Sequence, residues 1–213
     1  MSHDGPTVDV RYARAPRAVH FPTEAVVPES KRHLKLRTLL FQLLTNAFAP
    51  RACIGSDQFV YWNAANPRRC VAPDAFVRFG TPDVDFDVWK TWERGAPELA
   101  VEITSPSDRP DETWEEKLAR YAELGVGELV RFDPDRGELR IWDRVEGDLV
   151  ERVLDGRPAP SVVTGAYWVV TEFEGGPALR LAEDAEGARL LLTREEAEAR
   201  ARAAEASARE AEA

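Results

Sequence analysis

The chain has 213 residues, 44% of them hydrophobic, and carries 38 acidic against 28 basic side chains for a net charge of −10. That length is enough for one substantial core. No stretch is long and apolar enough to cross a bilayer, so no membrane is expected, and the acidic balance argues against broad nucleic-acid binding, which rests on Lys and Arg neutralising phosphates.

The first twenty residues contain no apolar run of the kind a secretory signal needs. They read as a flexible, polar, Pro-containing segment of a cytoplasmic protein. The first periodic segment runs from about Glu29 to Phe48, where Leu36, Leu39, Leu40, Leu43, Leu44, Ala47 and Phe48 make one apolar helical face. Pro28 fits its first turn and Pro50 closes it. Strand-like runs follow at Cys53–Ile54, Gln58–Trp62, Cys70–Phe79 and Leu99–Thr104, with Asn63–Arg69 as a turn. A second amphipathic helix is predicted over Glu112–Leu124, ended by Gly125, with Trp114, Leu118, Tyr121 and Ala122 facing inward.

Three further runs, Glu128–Phe132, Glu138–Trp142 and Leu149–Val153, are separated by Pro134-Asp135-Arg136-Gly137 and Glu146-Gly147-Asp148. They predict a β-meander. Ala166–Phe173 favours a strand through Tyr167, Trp168, Val169 and Val170, and Ala188–Leu192 reads as a last short strand. From Arg194 to Ala213 almost only Ala, Glu and Arg remain, with Glu196–Arg200, Glu198–Arg202 and Glu205–Arg209 in the favourable i,i+4 order. Without Leu, Ile or Val there is no coiled-coil seam. A solvated helix, dispensable for folding, is the expectation.

Familiar chemical motifs are missing: no phosphate-binding glycine loop, no nucleophile elbow and no paired CxxC. Two cysteines, Cys53 and Cys70, are too few for a disulfide framework and are expected to be reduced. The histidines His3, His20 and His33 lack zinc-ligand spacing. Carboxylates and lysine remain. Asp74 follows Pro73 inside the β-like run CVAPDAFVRF. Glu102 interrupts the apolar run LAVEIT, where an isolated buried carboxylate is costly unless paired or metal-bound. Lys117 shares the stripe of Trp114 and Tyr121. Each has a plainer reading: a turn aspartate, a glutamate on a solvated strand face, a solvated helix lysine. Their order, an Asp, a Glu on a later strand and a Lys on the next helix, is more specific than any one of them.

VAPDAFVRFG, then GAPELAVEITSPS, then EKLARYAELGV followed by FDP, resembles the Uma-type restriction endonuclease family of bacteria, a divergent branch of the PD-(D/E)XK nuclease superfamily. The likeness runs from about Pro22 to Glu196 and is strongest over Val71–Pro134. It implies an α/β fold with a restriction-endonuclease-like core: a central mixed β-sheet flanked by helices, plus the β-meander and a C-terminal charged helix. The nuclease-like domain would span residues 21–193 and the tail residues 194–213. It also implies a metal-dependent endonuclease acting on nucleic acid, with DNA the expected substrate. Asp74 and Glu102 would hold Mg²⁺, with Mn²⁺ able to substitute, and Lys117 would orient or activate water.

The superfamily's usual lysine, two residues after the glutamate, is Thr104 here, so the resemblance moves that role to Lys117. Asp108 replaces a threonine after Ser-Pro-Ser, and Thr113 stands where an aspartate is usual, with Asp111 a substitute. Glu29 and His33, one turn apart on the first helix, are weaker candidates for the metal; an N-terminal glutamate favouring the helix dipole is the plainer explanation. Pro82-Asp83 is set aside because TPDVDFDVW reads as an acidic loop. The alternative function is a nuclease-like fold kept as a binding or interaction module, and a homodimer is left open.

Overall fold

The computed structural model describes residues 19–22, 29–104 and 113–211. Helix α1 (Lys31–Phe48) opens on Ser30, whose hydroxyl accepts the His33 N–H at 3.1 Å. That contact satisfies one of the N–H groups a helix start leaves bare. The short strands β1 (Ala52–Gly55), β2 (Val60–Tyr61) and β3 (Cys70–Val71) follow, then β4 (Ala75–Phe79), β5 (Trp89–Lys90) and the single turn α2 (Thr91–Arg94). Strand β6 (Leu99–Ile103) leads to helix α3 (Trp114–Leu124). Thr113 and Glu116 close a reciprocal capping box at the start of α3, and Gly125 ends it in the left-handed conformation (φ 98°) that an L side chain rarely takes.

The meander is β7 (Glu128–Asp133), β8 (Glu138–Val145) and β9 (Asp148–Glu151). Strands β10 (Ala159–Pro160), β11 (Tyr167–Phe173) and β12 (Gly176–Ala182) come next, and α4 (Arg194–Ala211) is last.

The central sheet has the order β1-β4-β6-β7-β8-β9 and is mixed: β6 and β7 run parallel, joined through α3, and every other pair is antiparallel. Its residues alternate between two cores, as a pleated strand requires. Leu99, Val101 and Ile103 of β6 face α1 and the β10-β11-β12 sheet, together with Leu40, Leu43, Leu44, Val130, Phe132, Ile141 and Trp168. Ala100, Phe76, Leu129 and Trp142 face α3 and the small β3-β2-β5 sheet, with Tyr121, Leu124, Val60 and Trp89. Burying each such side chain contributes roughly 1.5–3 kcal/mol. At Gly55 a Cβ would come within 2.1 Å of the Phe76 ring, so only glycine lets β1 lie across from that residue.

The mixed sheet, the helix on each face, the meander and the terminal helix agree with the sequence expectation. Several details differ. The run Cys70–Phe79 breaks into two strands at Ala72-Pro73-Asp74, because proline has no N–H to give a ladder. The segment Ala188–Leu192 is no strand and makes only the bridge Ala182↔Leu190; the strand pairing β11 is Gly176–Ala182. Its Gly-Pro start and central arginine hid it. Pro28, Asp108 and Asp111 lie outside the described residues. None of the described helices is long and apolar enough to cross a membrane.

Candidate active site

Asp74 immediately precedes β4, and β4 pairs β6 antiparallel with Ala75 opposite Val101. One step further along that register brings Asp74 opposite Glu102. The two residues are 7% and 5% exposed. The pairing is locked by a side chain, for Asp74 Oδ2 accepts the Ile103 backbone N–H at 2.7 Å. The break at Pro73 that ends β3 thus has a positional consequence: it frees Asp74 to bond across to β6.

Glu102 lies on the α3 face of β6, where α3 supplies two donors one turn apart. Lys117 Nζ donates to Oε2 at 2.6 Å, and the Tyr121 hydroxyl donates to Oε1. Burial raises the pKa of Glu102, Asp74 pushes it further up, and the Lys117 ammonium opposes both. Burial and the facing Glu102 charge hold the Tyr121 hydroxyl well above its ordinary value, so it stays a donor. Sequence reasoning placed Tyr121 only in the buried stripe. Its spacing of four residues from Lys117 was the available signal that it reaches the same carboxylate.

Helix α1 closes the other side. His33 Nε2 lies 2.9 Å from the Ile103 carbonyl and 3.2 Å from Asp74 Oδ1, and Nδ1 lies 2.8 Å from Glu29 Oε1. All three partners are acceptors, so the ring needs a proton on both nitrogens. Burial works against that charge, but the hydrogen bond and charge of Asp74, with Glu29 and the Ile103 carbonyl, overcome it and raise the pKa to about 9. In this arrangement His33 has no lone pair for a metal; it is a cation bracing Asp74. Glu29 is gripped by Arg37 at 2.9 and 3.0 Å as well as by His33, which sets it behind the histidine.

A residue absent from the sequence reading sits near this network. Asp57 takes a left-handed backbone (φ 71°), lies 3.8 Å from Arg37, and has its pKa raised by burial despite that cation. Ser56 beside it donates its hydroxyl to the Asp74 carbonyl at 2.8 Å. Asp83 of the rejected Pro-Asp pair is elsewhere, 3.4 Å from the Ile54 N–H.

Among the described residues no three His, Cys, Asp or Glu side chains come together closely enough to cage a metal ion. Two buried hard carboxylates nevertheless fit Mg²⁺, which keeps several waters and typically takes one or two protein carboxylates plus substrate oxygens. Each carboxylate oxygen carries two lone pairs, so the described contacts to Asp74 and Glu102 leave acceptor capacity on both acids.

Comparison with known proteins bears on this geometry. The family model Uma2, described as “Putative restriction endonuclease”, matches residues 21–169. No curated protein matches the chain. A crystal structure described as a “putative nuclease belonging to DUF820”, from Anabaena variabilis, is similar with a TM-score of 0.50 and 13% identity. The match covers 65% of this chain and 77% of that one. At that identity the likeness is one of fold.

Proposed function

Since the chain belongs to the Uma2 family, described as “Putative restriction endonuclease”, we propose that it is a metal-dependent endonuclease that hydrolyses phosphodiester bonds, with DNA as the expected substrate. The observation that carries this reading is the convergence of three separate segments. Asp74 before β4, Glu102 on β6 and Lys117 on α3 meet at the ends of the central strands, with the lysine 2.6 Å from the glutamate. A structural ion pair needs one acid; two buried acids beside each other repel and favour a site for a cation.

Asp74 and Glu102 would hold Mg²⁺ or Mn²⁺. When bound, such an ion lowers the pKa of a coordinated water and offsets charge developing on phosphate. The chain's own groups do the rest. Lys117 donates to Glu102, where its charge can orient a water or meet a phosphate oxygen. Tyr121 fixes the Glu102 carboxylate in one rotamer from the opposite oxygen. His33 is a positioning residue that clamps Asp74 to the Ile103 carbonyl, so the acids keep their spacing as charge changes nearby.

Supercoiled plasmid and matched DNA and RNA oligonucleotides, incubated with Mg²⁺, Mn²⁺ or EDTA, test the reading. Metal-dependent cleavage of DNA that Glu102→Gln removes is expected. Thermal melting should rise with metal, by about 2.7 kcal/mol of stability at a hundredfold excess over Kd. A metal-induced shift without cleavage would leave a metal site without the enzyme, and the absence of both effects would favour the binding-module alternative.

A further inference from the structure

On the α3 face of the central sheet lies a cation that makes no ion pair among the described residues. Strand β7 alternates: Val130 and Phe132 face α1, whereas Leu129 faces α3. Arg131 therefore shares the α3 face with Glu102, and the parallel register pairs those two residues directly. Adjacent strands lie about 4.8 Å apart, so Arg131 is next to Glu102. Its guanidinium carbon sits 4.5 Å from the Trp114 ring centroid. Trp114 opens α3 three residues before Lys117 and packs on Trp142, ring centroids 5.0 Å apart.

Stacking on the indole holds the guanidinium plane while leaving its N–H edge available. Among the described residues the Arg131 side chain makes no hydrogen bond or ion pair, and the ring contact is its one interaction. Its register neighbour on β8, Arg140, has the same kind of seat, 4.9 Å from the Trp142 ring. That cation is committed, however: Glu151 accepts from its Nε and from one terminal nitrogen, each at 2.7 Å. In a chain of net charge −10, an arginine that makes no ion pair among the described residues, on the strand next to Glu102, calls for an anion from outside. The indole N–H of Trp114, buried and without a partner, leaves a second donor unfilled at the same place.

We propose that Arg131, stacked on Trp114, binds a backbone phosphate of the strand that is cut, next to the phosphate that would be hydrolysed at the Asp74–Glu102 site. The inference rests on the nuclease reading and adds the residue that registers the substrate. A planar fork suits phosphate oxygens, and a phosphate contact positions the strand without reading its sequence. An acidic protein would thereby hold nucleic acid through a local contact rather than a broad basic surface.

The test uses the full chain and a fluorescein-labelled DNA oligonucleotide. Binding is followed by anisotropy in Ca²⁺ and cleavage kinetics are measured in Mg²⁺. Arg131→Ala should weaken binding about ten-fold, the size of one charged hydrogen-bonded contact. The slope of log affinity against log salt should fall by about 1, with KM raised and kcat nearly unchanged. Arg131→Lys keeps the charge and the fold but loses the fork, and should fall between the two even if the alanine variant melts early. Both variants matching wild type in binding and KM would overturn the inference and leave the nuclease reading standing; in that case Arg131 only covers Trp114. A wild-type protein that neither binds nor cuts the oligonucleotide would overturn the nuclease reading, and this inference with it.

Discussion

At the level of single side chains, the site turns on how one buried glutamate is compensated. Glu102 has Lys117 on one oxygen and Tyr121 on the other, and burial and Asp74 both raise its pKa. Taking away one partner of a buried pair strands the other charge. Lys117→Ala should therefore lower the stability of the metal-free protein, yet leave divalent-metal affinity intact or tighter, because a competing cation is gone. Single-turnover cleavage should drop by about 10²–10⁴-fold if lysine assists proton transfer or orients the water. Calorimetry and cleavage assays on the same preparation separate the two effects, and unimpaired cleavage would reduce Lys117 to a structural ion-pair partner. The sequence made Asp74, Glu102 and Lys117 visible because each breaks a pattern: a carboxylate in an apolar run, a lysine in an aromatic stripe. It left the role of His33 dark. Contact between residues 33, 74 and 103 depends on how α1 lies over the sheet, and periodicity within α1 carries no information about that.

Among the elements, α4 shows how a helix can be solvated and still attached. No residue of Arg194–Ala211 is buried, as its Ala, Glu and Arg composition implies. Its first turn is nevertheless tied down. Thr193 and Glu196 form a reciprocal cap, and Glu196 takes both terminal nitrogens of Arg180, at 2.8 and 2.6 Å. Arg180 is only 7% exposed. The expectation that everything after Thr193 is dispensable therefore needs narrowing. Truncation after Thr193 should cost about 3 kcal/mol through the unpaired buried arginine. Truncation after Ala201, which among the described residues removes only exposed ones, should stay within roughly 0.5 kcal/mol. Urea melts of the two truncations distinguish these; equal midpoints would mean that Arg180 finds other partners. Composition revealed the helix but not its anchor, since the arginine it caps is on β12, a strand that sequence patterning missed.

For the molecule as a whole, one carboxylate stitches the central sheet to the β10-β11-β12 sheet. Glu128 at the start of β7 is fully buried and accepts the Trp168 indole N–H at 2.7 Å and the Val162 N–H at 2.6 Å. Arg152 lies 3.6 Å away and is itself held by Asp143 at 2.5 Å. Burial raises the Glu128 pKa, against the hydrogen bonds and Arg152. A carboxyl raised on folding stabilises most below its unfolded pKa, and that contribution is lost as pH rises through the folded value. Wild type should therefore lose stability over that window relative to Glu128→Gln, which has nothing to titrate there. Glu128→Ala, leaving the Trp168 and Val162 donors unmatched, should cost roughly 2–6 kcal/mol below that window and less above it. Denaturation midpoints across pH give both numbers, and a constant difference between wild type and the glutamine variant would refute the titration.

Local pattern carried the elements themselves: α1 and α3 by their apolar stripes, the meander by its turn residues, the tail by its alanines, and the acids by their misfit. Those signals are short-range, since side-chain period and turn chemistry act within a few residues. Which acids meet, which cation braces them, and which arginine stands on the neighbouring strand are matters of register and packing between distant segments. The β4–β6 register brings Asp74 to Glu102, the parallel β6–β7 register brings Arg131 beside them, and α1 delivers His33 across 70 residues to the Ile103 carbonyl. A one-residue slip in either register would turn those side chains to the other face of the sheet, and nothing in the local sequence excludes that slip. The two buried cores do, by requiring Leu99, Val101 and Ile103 on one face and leaving Glu102 for the other.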